Sequence, residues 1–232
     1  MTWRTQSLLL LMFGGALLRL ATTDALLRYV RPVARPWVLL AGLAMAGLAL
    51  WSLAARPGDD AHRDGGERYG PSRAGWLVLA PVVAIVVVAP PALGAYSAAR
   101  IPMSAVAVAS RHLPPLRGAD PVRMSLLDYF ARAAFDAGHT LRGHHVSLTG
   151  FVLRREPRGF ELARLVITCC AADARPVVVS VLTQPGESGV PPPNTWVTLS
   201  GTYGGQSASD STVPVLLAES VSMISQPADP YD

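Results

Sequence analysis

The chain has no lysine, only two cysteines, and little charge for its length. Its 20 basic residues are all arginine, 16% of its 232 residues are charged, and 7% are aromatic. Each shortage excludes something. Two cysteines cannot build a disulfide framework. A net charge of +4 would ordinarily raise nucleic-acid binding, but the arginines are scattered rather than set in a stripe. Single-strand binders also need aromatic stacking platforms, and the apolar segments here are mostly aliphatic. Nucleic acid is therefore not an expected partner. The sequence holds no C-x-x-C, phosphate-binding glycine loop, nucleophilic triad or paired-carboxylate site. It does not read as an enzyme.

Apolar sequence is abundant instead. Half of the chain is hydrophobic and mean hydropathy is +0.32, too apolar for an ordinary soluble domain. Three runs stand out, and three transmembrane helices are expected, over residues 7–30, 37–55 and 75–99. The first begins "SLLLLMFGGALL" and carries Arg19 and Asp24. Its uncharged part is as short as a signal-peptide core, but no A-x-A-like cleavage site follows, so it reads as a retained helix. Charges within a membrane face a protein interior or a partner. Arg19, Asp24 and Arg28 are the expected partner contacts. Pro90 and Pro91 should kink or end the third helix. Arg28, Arg31 and Arg35 lie in one linker, against Arg4, Arg56, Arg63, Arg68 and Arg73 on the other side. The positive-inside rule then places the N-terminus inside and the region after Ala99 outside. The reading is a multi-pass cell-membrane protein, with the lipid bilayer as one partner and an extracytoplasmic C-terminal domain.

Residues 100–119 are rich in proline and read as a linker. Residues 120–232 have the mixed composition of a soluble domain. One amphipathic helix opens it, capped by Asp120 or Ser125, with Leu126, Leu127, Phe130, Ala134 and Ala137 on or near one face and Gly138 as its stop. Five strands follow: "HVSLTGFVLRR", "FELARLVITCC", "RPVVVSVLTQ", "TWVTLSGTYG" and "VPVLLAESVSMI". Two of them echo each other as Val-hydroxyl-Leu-hydroxyl-Gly, at Gly150 and Gly201. An in-strand glycine often marks a bulge or bend. The expected class is therefore a membrane-anchored α + β protein whose soluble part is a small, all-β, OB-like five-stranded domain preceded by one helix.

Both cysteines sit side by side in "TCCAAD", as Cys169 and Cys170, with Asp173 three residues on. Three readings stay open. A vicinal disulfide is strained, because neighbouring Cα atoms lie about 3.8 Å apart. Plain packing explains one cysteine at the end of an apolar strand more easily than two, since successive side chains point to opposite faces. A soft-metal site would use both thiolates. Asp173 and the histidines of "GHTLRGHHV", His139, His144 and His145, are the further candidate ligands.

"ARLVITCCAADARPVVV", "VSLTGFV" and "WVTLSGTY", together with "LLRYVRP" and "WLVLAPVVAIVVVAPPALGA" near the N-terminus, carry a resemblance. The chain resembles the YcgQ-like family, accessory subunits of bacterial two-component permeases. Thr168, Cys169, Cys170, Asp173, Arg175 and Pro176 are the positions that carry it most specifically. The resemblance implies a polytopic permease as partner and an association with metal homeostasis, zinc in particular. The expected function is a non-enzymatic permease subunit whose soluble domain binds or presents a soft metal such as zinc. The alternative is a membrane-anchored interaction module without ligand chemistry.

Overall fold

The structure, a computed structural model, describes residues 3–55, 92–101, 113–183, 190–207, 210 and 212–232. The chain divides into two units, Met1–Pro91 and Ala92–Asp232.

Among its described residues the first unit has two α-helices, α1 (Trp3–Thr22) and α2 (Arg35–Ala54). They pack side by side through small residues. A Cβ on Gly14 would lie 2.9 Å from the Ala46 nitrogen, and one on Gly42 would lie 3.0 Å from Leu18 Cγ. Any larger residue would push the helices apart. Ser7 and Ser52 share a hydroxyl hydrogen bond of 2.9 Å, and Arg35 Nε donates to the Ala21 carbonyl at 2.7 Å.

The helix expected over 7–30 is shorter than the sequence suggested. Thr22 and Thr23 turn their hydroxyls back onto the carbonyls of Leu18, Arg19 and Leu20 in the last turn. The chain then passes through two 3-10 turns, Asp24–Arg28 and Pro32–Ala34, before α2. Arg19 therefore lies in the last turn of α1, while Asp24 and Arg28 lie beyond it. None of the three sits in the middle of a span.

Among the described residues one helix is long and apolar enough to cross a membrane, Pro32–Ala54, with a mean hydropathy of 1.9. Gln6–Thr22 is apolar but shorter. The bulk of the third expected helix, residues 75–91, lies outside the described residues. Its end does not continue a long helix: Ala95–Ala98 forms a single turn, α3, within the second unit, where Ala95 and Ala98 are buried.

The second unit is built on a mixed six-stranded sheet. Its strands are β1 (Val122–Arg123), β2 (His145–Glu156), β3 (Gly159–Val166), β4 (Arg175–Leu182), β5 (Trp196–Gln206) and β6 (Pro214–Ile224). Their order is β1-β2-β3-β4-β6-β5, and β2 also pairs with β5. The five long strands thus close a ring of pairings. All neighbours in the ring are antiparallel except β4 and β6, which run parallel. The two-residue β1 lies parallel to β2 and was not expected from the sequence.

Gly201 shows what closing the ring requires. The register of β5 against β6 shifts between Ser200 and Gly201. A Cβ at Gly201 would fall 2.1 Å from the Leu217 carbonyl oxygen. The absence of a side chain lets the two backbones approach at the bulge.

Two apolar clusters hold this unit. One gathers Val146, Leu148, Phe160, Leu162, Val179, Val197 and Leu216 with Leu126 and Tyr129. The other joins Phe151, Ala163, Leu165, Ile167, Val178 and Trp196 with Ala95, Ala98 and Tyr231. Side chains alternate along β3 and β4, so these strands feed both clusters and are buried on both faces. This is why "RPVVVSVL" reads as an unbroken apolar run.

Helix α4 (Leu126–Phe135) is capped by Ser125, whose hydroxyl accepts the Asp128 N–H at 3.0 Å. Its buried face is Leu126, Tyr129 and Ala133, while the expected Ala134 and Ala137 are exposed. Tyr129 anchors it, donating its hydroxyl to the Val215 carbonyl at 2.8 Å. That hydrogen bond lets an aromatic with a polar tip enter the core.

A dithiol turn as candidate functional site

Strand β3 ends at Val166, four residues before Cys170. Both cysteines therefore lie in the connection to β4, and the strand alternation expected to separate them does not apply. Two buried residues, Ile167 and Ala174, pin the ends of this connection into the second apolar cluster. Between them Ala171–Asp173 forms one 3-10 turn with Cys170 as its N-cap. Cys169 is exposed, Cys170 half-buried, and both are free thiols.

Asp173 shapes the turn. Its Oδ1 accepts the Thr168 N–H at 2.7 Å, and its Oδ2 accepts the N–H groups of Cys169 at 2.8 Å and Cys170 at 3.3 Å. The Cys170 side chain in turn accepts the Asp173 N–H, completing a reciprocal cap. Desolvation works against the carboxylate charge, but the three backbone donors and the Cys169 thiol outweigh it and hold its pKa at about 2. The same contacts act oppositely on Cys169. Its hydrogen bond to Asp173, then that to Cys170, push its thiol up to about 11.

Cys169, Cys170 and Asp173 each offer a ligating atom, and these atoms lie within 4.8 Å of one another. Among the described residues this is the group of His, Cys, Asp and Glu side chains that could hold a metal ion. His139, His144 and His145 do not join it. His139 and His144 lie in the turns between α4 and β2, each with its backbone N–H bonded locally. His145 opens β2 opposite Thr202. Its Nδ1 lies 3.1 Å from Asp120, and its Nε2 lies 3.5 Å from Glu219. The hydrogen bond and charge of Asp120, then the charge of Glu219, raise its pKa.

Sequence reasoning found the cysteines and Asp173 but not the carboxylate's role as a clasp. The signal was there: an N-cap followed by an acid three residues later is capping-box spacing. The Asp120–His145–Glu219 cluster had no such signal, because its members are 25 and 74 residues from one another's neighbour in the chain and meet only through the ring of strands.

No curated protein and no solved structure matches the chain. Residues 136–231, which contain the whole dithiol turn and all five long strands, match the DUF1980 C-terminal domain family, consistent with the YcgQ-like resemblance.

Proposed function

We propose that this protein is a non-enzymatic, membrane-anchored subunit of a two-component permease, whose soluble domain binds or presents a soft metal such as zinc. The observation that carries the metal reading is the convergence of Cys169, Cys170 and Asp173 on one exposed turn. Exposure of Cys169 argues against a role in packing alone. Thiolates are ligands for zinc and copper(I).

The membrane anchor is supported by the first unit. Val33, Trp37, Leu40, Leu43, Leu48, Leu50 and Trp51 are each at least 57% exposed, while Gly42 and Ala49 are buried. Each large side chain left in water forgoes up to about 1.5–3 kcal/mol of burial. Lipid removes that cost, and small residues between helices are the membrane pattern. Arg19, Asp24 and Arg28, near the end of the helical pair, are the proposed contacts with a polytopic permease. For the soluble unit, the ring β2-β3-β4-β6-β5 with one parallel pairing supports an OB-like barrel.

Metal content and zinc affinity of the reduced full-length protein in detergent, compared with a Cys169→Ser/Cys170→Ser variant, test the proposal. Stoichiometric metal that is lost in the variant is expected. A folded wild type that takes up no soft metal would leave only the interaction module.

A further inference from the structure

We propose that the dithiol turn is a two-thiolate site for a soft monovalent cation, copper(I) or silver(I), and that Asp173 is its clasp rather than a third ligand. This rests on the metal reading above and names the class of ion.

The hydrogen bonds of Asp173 decide the point. Both carboxylate oxygens are engaged by backbone, Oδ1 by Thr168 and Oδ2 by Cys169 and Cys170. These bonds form the loop that brings the two cysteines together. With these bonds Oδ2 is saturated and Oδ1 keeps one lone pair, so the carboxylate is committed first to the turn that makes the site. The two sulfurs are the soft donors that a soft ion takes in preference.

The geometry of those sulfurs fits one ion. Adjacent residues of a strand point to opposite faces. Here Cys169 precedes the 3-10 turn and Cys170 caps it, so their sulfurs converge within the 4.8 Å envelope of the group. No imidazole completes the set among the described residues, and His145 is already held between Asp120 and Glu219. Zinc in protein sites takes four ligands, or three and a water, and two sulfurs leave it half-ligated. Soft thiolates select copper(I), and monovalent ions of this kind are satisfied by two sulfurs in a near-linear arrangement. Exposure of Cys169 leaves the bound ion open to attack by an incoming sulfur ligand, as transfer to a partner requires.

The test uses the reduced full-length protein in detergent under anaerobic conditions. Copper(I) affinity is measured by competition with bicinchoninate, and zinc affinity by competition with a chromophoric chelator. X-ray absorption at the copper edge counts the ligands. One copper(I) per chain with two sulfur neighbours and no oxygen is expected. Cys169→Ser and Cys170→Ser should each weaken copper(I) by at least about 100-fold. Asp173→Asn keeps one of the two acceptor oxygens, enough for the Cys169 and Cys170 N–H groups, and where thermal unfolding shows it folded it should retain copper(I) within about tenfold. Cys169→Ala and Cys170→Ala serve as second variants, and thermal unfolding shows that each variant compared is folded. An oxygen in the copper shell, or one-to-one zinc binding that Asp173→Asn abolishes, would overturn this inference and leave the metal reading standing. Failure of the folded wild type to bind either metal would overturn both.

Discussion

At the scale of single residues, three ionisable groups of the soluble unit have shifted titrations with consequences that can be measured. Asp173 is held at about 2 and Cys169 at about 11 by the contacts they share. A carboxylate with a depressed pKa stabilises the fold above its ordinary value near 4, and that contribution is lost as pH falls toward about 2. Thiol reactivity follows the thiolate fraction, so Asp173→Asn should speed alkylation of Cys169 at pH 8 by about tenfold. Iodoacetamide labelling followed by peptide mass analysis measures it; an unchanged rate would show that the carboxylate does not restrain the thiol. His145 behaves in the opposite sense. Its pKa is raised by Asp120 and then Glu219, so its stabilising charge is complete below about pH 6.5 and is lost as pH climbs through the raised value. The Tm of the wild type should therefore fall more steeply than that of His145→Gln between neutral and mildly alkaline pH. Parallel curves would remove the ion cluster from the stability account.

At the scale of elements, backbone approach matters more than side-chain chemistry. The β5–β6 bulge places the Leu217 carbonyl where a Gly201 side chain would stand. Gly201→Ala should cost about 1–3 kcal/mol, the usual range for an overpacked core. Urea unfolding followed by far-ultraviolet circular dichroism gives the value. The α1–α2 pair obeys the same rule. Ser7 and Ser52 are in hydroxyl contact at 2.9 Å, so Ser7→Cys/Ser52→Cys, built on a background with Cys169 and Cys170 replaced by serine, should cross-link on mild oxidation. Adding Gly14→Ile should abolish the cross-link, because the new side chain meets the Ala46 backbone. Equal yields with and without that change would mean that the helices do not pack through glycine. The order of the strands was largely legible as a series of apolar segments, since each strand carries its own alternation or run. Their ends were not. Thr22 and Thr23 close α1 early through local carbonyl bonds, and β3 stops before the cysteines because Asp173 offers the backbone a competing set of bonds.

At the scale of the whole molecule, the described residues form an apolar helical pair in one unit and a β sheet of mixed composition in the other, and the proposed anchor lies in the first. The protein should stay with the membrane fraction after alkaline carbonate extraction. Its release into the supernatant would contradict the anchor, because the exposed apolar side chains of α2 would then have to face water. The division into an apolar N-terminal part and a mixed C-terminal part was determined by the sequence alone, since composition and periodicity are local properties of the chain. So were the five long strands, the capped helix before them, and the pairing of both thiols with a nearby acid. Only the tertiary structure decided which strands meet, that Ala95–Ala98 belongs with the β unit, and that the histidines stand apart from the cysteines. It also decided that Asp173 clasps the turn. These are matters of long-range closure: the ring of pairings brings Asp120, His145 and Glu219 together, and the burial of Ile167 and Ala174 fixes which side of the β3–β4 connection the thiols reach.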